Sequence, residues 1–161
     1  MIALIRISSI NLKNKRMDKL EYIPGDLVKF ATNTYTIINF EENFLYNKIC
    51  YALISTNSTK TAFVADRDIL PIPITPEILE KNGWVKKVMS RGVKNSHWVY
   101  TKPDIEEYGY FPIYIEKGIG KEFDVYPFTD NNVCKPIAYI KYVHQLQHLL
   151  FGLGIKHEME V

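Results

Sequence analysis

The segment Pro71-Ile72-Pro73-Ile74-Thr75-Pro76 constrains this chain more than any other stretch. Proline fixes φ and has no N–H, so Pro71 and Pro73 forbid a helix and break a central sheet ladder. The stretch reads as a stiff extended link, and it divides the 161 residues into two parts. Helix is predicted immediately after it. Thr75 suits the N-cap, Pro76 suits the first helical position, and Glu77 lies where the helix dipole favours negative charge. Ile78 and Leu79 face inward, and Asn82-Gly83 ends the helix.

Before the link, short runs of β-branched and aromatic residues predict strands. These are Leu27–Phe30 after a Pro24-Gly25-Asp26 turn, Thr34–Phe40, Ile49–Ile54 and Thr61–Val64. A polar turn at Asp66-Arg67-Asp68 precedes a last short strand. This order predicts a small SH3-like barrel over 22–74, with residues 1–21 as an N-terminal extension. After the link, 75–161 reads as an α+β unit. The capped helix is followed by an antiparallel meander from Trp84–Met89, His97–Tyr100, Tyr110–Glu116, Glu122–Pro127 and Ile137–Ile140. A final helix begins near Tyr142 and stops at Gly152 and Gly154. Val143, Leu146, Leu150 and Leu153 recur at helical spacing, and His144, Gln145, Gln147 and His148 fall mostly on the other side. The tail Ile155–Val161 alternates and predicts a further strand. The fold class is α+β, mainly β.

Charge and cysteine content narrow the function classes. Twenty Lys and Arg against 18 Asp and Glu give a net charge of +2, too even for bulk attraction to nucleic acid. Local basic runs remain at Lys13-Asn14-Lys15-Arg16 and from Lys86-Lys87 to Lys94. Cys50 and Cys134 are far apart and in no CxxC, so they read as free thiols, not a disulfide or zinc framework. The apolar start, Met1 to Ile10, is interrupted by Arg6 and has its charged stretch on the wrong side for a secretory signal. A cytoplasmic protein without a membrane partner is the expectation.

Four constellations bear on chemistry. His144 and His148, spaced i and i+4, share a helical face as metal ligands can, but Gln145 stands where a metalloprotease helix has its glutamate base. The alternative is a polar face of hydrogen-bonded histidines. Acidic residues at Asp66, Asp68, Asp104, Glu106 and Glu107 all lie beside turns, where carboxylates solvate or cap. Gly118-Ile119-Gly120-Lys121 lacks the glycine spacing and the following helix of a phosphate loop. Trp98, Tyr108, Tyr110, Tyr114 and Tyr126, with Lys86, Lys94 and Lys102, compose an aromatic and basic set. It serves as core, as a protein interface or as a stacking face for single-stranded nucleic acid. No catalytic residue and no cofactor is assigned.

Two motifs carry a resemblance. Pro71 to Trp84 resembles a recurrent PIPLTPEILEKNGF segment, and Tyr142 to Leu150 resembles a YVHQLQ helix that closes the same proteins. These are small uncharacterised proteins of Bacteroides-type bacteria, their phages and prophages. The likeness covers roughly residues 22–161 in the same element order. The family has no established catalytic residues, so the resemblance implies a mobile-element setting and no transferable site. The resulting expectation is a non-catalytic accessory binding protein of phage or mobile-element origin, acting through a protein surface in the host cytoplasm, with host defence among the candidate targets. The alternatives are a nucleic-acid-associated factor using the barrel and basic loops, and a metal-dependent enzyme built on His144 and His148. A protein partner is expected, and a homo-oligomer is compatible with the sequence.

Overall fold

A computed structural model describes residues 21–43, 48–90, 96–103, 113–118, 120, 122–127 and 135–161. Nearly all of the expected N-terminal extension, including the Lys13–Arg16 run, lies outside them. So do Lys94, Tyr108, Tyr110, Cys134 and the acidic residues Asp104, Glu106 and Glu107.

The first sheet contains β1 (Leu27–Phe30), β2 (Asn33–Asn43), β3 (Lys48–Ser55), β4 (Thr61–Ala65) and β5 (Leu70–Pro71). The spatial order is β4-β3-β2-β1-β5, with every described pairing antiparallel. Side chains alternate across a strand, so Val28, Ile37, Tyr51, Leu53 and Val64 gather on one face and form a core with Tyr22 and Ile69. The polar turn Asp66–Asp68 is a short 3-10 helix. The register of β2 against β3 shifts between Ile37 and Asn39, leaving Ile38 exposed. Strands β4 and β5 stand at opposite edges, so among the described residues the sheet is open and not a closed barrel.

The second sheet contains β6 (Val85–Ser90), β7 (Ser96–Thr101), β8 (Ile113–Lys117), β9 (Phe123–Pro127) and β10 (Ala138–Ile140), in the order β10-β9-β8-β7-β6. Helices α1 (Pro76–Lys81) and α2 (Val143–Gly152) supply part of its core. Leu79, Leu146 and Leu150 bury against Trp84, Tyr100, Ile115, Val125 and Ile140. Thr75 caps α1 as expected, its hydroxyl accepting from the Ile78 N–H at 3.3 Å. Gly83 adopts φ 82° just after it. At the start of α2, the Gln145 Oε1 accepts from the backbone N–H groups of Lys141 and Tyr142, at 2.8 and 3.2 Å.

The link and the entry to α2 are bonded to each other. The Val143 N–H donates to Ile72 O at 2.9 Å, and the Ile74 N–H donates to Lys141 O at 2.8 Å. Leu27, Ile72 and Val143 form a small apolar cluster at this joint. The tail after Gly154 is irregular, contrary to the strand its alternation suggests. Its polar backbone is satisfied by a side chain instead: the Asn82 amide donates to Glu160 O at 2.7 Å and accepts from the Glu160 N–H at 2.8 Å. The described structure is thus α+β and mainly β, with two antiparallel sheets and two helices. Among the described residues no helix is long and apolar enough to cross a membrane.

Candidate functional site

Helix α2 turns its polar side toward the first sheet, not toward solvent. His144 and Gln147 are buried, whereas their spacing from the leucines suggests an exposed face. The helix packs between the two sheets, so its leucine side and its His144–Gln147 side are both buried. Gln147 grips the turn that opens β1: its Oε1 accepts from the Leu27 N–H at 3.0 Å and its Nε2 donates to Gly25 O at 3.1 Å. One turn on, His148 Nε2 lies 2.8 Å from Asp26 Oδ2. The same carboxylate oxygen accepts from the Ile23 N–H at 2.8 Å. Gly25, at φ 99°, gives the turn a shape that an L side chain rarely adopts.

Burial sets the electrostatics of this seam. It raises the pKa of the Asp26 carboxyl above the ordinary carboxylate value, while the bonds from Ile23 and His148 pull it back. Burial, and then the neighbouring His148, push His144 down to about 4, so its ring is neutral near pH 7. That ring meets Tyr22 edge-on at 4.8 Å between centroids and stacks on Tyr142 at 5.8 Å, and its Nδ1 has no hydrogen-bond partner among the described residues. His148 points at Asp26, and His144 is packed among aromatic rings. No group of three or more His, Cys, Asp or Glu among the described residues is arranged to hold a metal ion. The chemistry of the seam is that of a hydrogen-bonded joint. Asp26, its acidic member, reads in sequence only as part of a Pro-Gly-Asp turn, and no spacing rule ties it to a helix more than a hundred residues later.

The aromatic set is distributed over two faces of the second sheet. Residues directly opposite in an antiparallel pair share a face. The register Val88↔Trp98 and Lys86↔Tyr100↔Ile115 therefore places Trp98, Val88 and Lys86 on the core side, at the end of the β6–β7 ribbon. There Trp98 is 57% exposed and Val88 52% exposed. The Lys86 ammonium sits 4.9 Å from the centroid of the Trp98 ring, a cation–π contact that holds the indole in place. Tyr114 pairs with Thr101 and Tyr126, which sets it on the opposite face. Tyr114 is buried, and its ring stacks on Tyr126 at 5.1 Å. The Tyr126 hydroxyl donates to Asp124 at 3.4 Å. The structure thus brings Trp98 and Lys86 together, and Tyr114 and Tyr126 together, but does not merge the two pairs. Asp66 and Asp68 are exposed around the 3-10 turn, and Cys50 is a half-buried free thiol.

No family model matches the chain, and no curated protein or solved structure gives a significant match to it.

Proposed function

We propose that the protein is a non-catalytic accessory binding protein that engages another protein through the Trp98 face. The observation that carries this reading is the exposed indole of Trp98, held by Lys86 and flanked by Val88. Large aromatic side chains presented with little rotamer freedom are the residues that dominate interface energies. Two further features of the reading have support of their own. The four-stranded meander β1–β4, the 3-10 turn before β5 and the return of β5 onto β1 favour an SH3-like reading of 22–74, with 75–161 as a second unit. The two sequence motifs favour a phage or prophage origin, in a host cytoplasm where defence proteins are among the candidate partners.

The test is quantitative affinity capture from the producing cells with the native chain and with Trp98→Ala as baits. A hot-spot tryptophan costs about 2 kcal/mol or more, so the variant retains roughly thirtyfold less of a specific partner. Equal retention by both baits, or no stoichiometric partner of the native chain, overturns the proposal. The Trp98–Lys86 pair also favours one second reading, in which the indole stacks a base of a single strand. That reading requires oligonucleotide affinity that falls steeply with salt.

A further inference from the structure

The four edges of the two sheets are not protected alike. An edge strand offers unpaired N–H and C=O groups to any other chain, and proteins blunt such edges with charge, proline or brevity. Strand β6 carries Lys86 and Lys87, β5 is two residues long and includes Pro71, and β10 is three residues long. Strand β4 has none of these devices. Its sequence, TAFVA, is uncharged, and among the described residues it pairs with β3 alone and Phe63 at its centre is 67% exposed, more than any other large hydrophobic. Phe63 stands on the face opposite Val64, which is buried in the core.

We infer that β4 is the contact by which two copies of this chain form a symmetric dimer, pairing antiparallel about Phe63. The argument is self-complementarity. A two-fold contact must set each residue against its mirror position in the other copy. Centred on Phe63, the pairing sets Ala62 against Val64, Thr61 against Ala65, and the exposed Lys60 of each copy beside the exposed Asp66 of the other. The two phenylalanines meet across the axis, and opposite charges close both ends. The two open sheets then run together as one. The other long edge suits a two-fold contact less well: pairing β6 with itself about Lys86 or Lys87 sets that lysine against its own copy, like charge against like. The contact is independent of the Trp98 face. A five-residue edge makes a small interface, so the dimer is a weak, concentration-dependent one.

Sedimentation velocity of the full chain over a concentration series tests it. The native chain shifts from monomer to dimer as concentration rises, and Phe63→Lys, at an exposed edge position, remains monomeric throughout. Lys60→Glu or Asp66→Lys alone weakens association roughly tenfold by setting like charges opposite each other at both ends. The double variant K60E/D66K restores it, which a merely adhesive phenylalanine does not explain. Circular dichroism of each variant reports that the fold is kept. A native chain that stays monomeric, a Phe63→Lys variant that still dimerises, or a charge swap that fails to restore association overturns the inference.

Discussion

Helix α2 joins the two sheets in two different ways. Toward the second sheet it presents Leu146 and Leu150, fully buried in an apolar core. Toward the first it presents His144, Gln147 and His148, which meet Tyr22, the Gly25–Leu27 backbone and Asp26. Apolar burial is strong and non-directional, whereas hydrogen bonds weaken steeply as they misalign. The second sheet therefore gains most of what α2 contributes to stability, and the first gains its registration on the helix. The sharpest way to break the comparison is to cut each side separately.

Leu146→Ala removes a fully buried side chain from the larger core, and such truncations cost about 2–5 kcal/mol. Urea unfolding of the variant is expected to show that loss. A loss under about 1 kcal/mol, well short of the range for such sites, would mean the helix is not a wall of that core.

Acid acts on the polar side. The folded pKa of His144, about 4, lies below its ordinary 6.5. The unfolded chain therefore binds a proton between those values that the folded chain refuses. The stability linked to His144 is complete above pH 6.5 and is lost as pH falls toward about 4, up to about 3 kcal/mol at 1.36 per unit. Asp26, raised by burial, works the other way just above the ordinary carboxylate range, where the folded chain keeps a proton the unfolded chain has released. Tyr22, Tyr142 and His148 are the other groups against the imidazole. His144→Phe keeps a ring in place and removes the titration, so its stability is expected to be flatter from pH 6.5 to 4 in thermal unfolding. An unchanged pH slope would remove His144 from the account.

Much of this architecture was legible in local chemistry. The cap at Thr75, the stop at Gly83 and the strands on both sides of the link depend on neighbouring residues, so the sequence displays them directly. The candidate site was less legible because its parts are distant. Asp26 and His148 are 122 residues apart, and no periodicity records that a polar helix face will be covered by so distant a turn. The same limit applies to the tail, whose alternation suits a strand but whose backbone bonds to Asn82 instead. The aromatic set shows a different gap. Composition counts tyrosines, but only the β7–β8 register assigns Tyr114 and Trp98 to opposite faces.

The finest test of the comparison is Gln147→Leu, which keeps the side chain's volume and removes its polarity. In the native chain Gln147 satisfies the buried Leu27 N–H and donates to Gly25 O. Leucine leaves that N–H without an acceptor, a penalty of about 1–3 kcal/mol partly offset by the apolar gain. The cost is expected to be smaller than that of Leu146→Ala and local to the joint. Hydrogen exchange should show it as faster exchange at Leu27, with the amides of β7 to β9 unchanged. Uniform acceleration through both sheets would mean that the two sides of α2 form one cooperative core, and the contrast between an apolar wall and a polar register would fall.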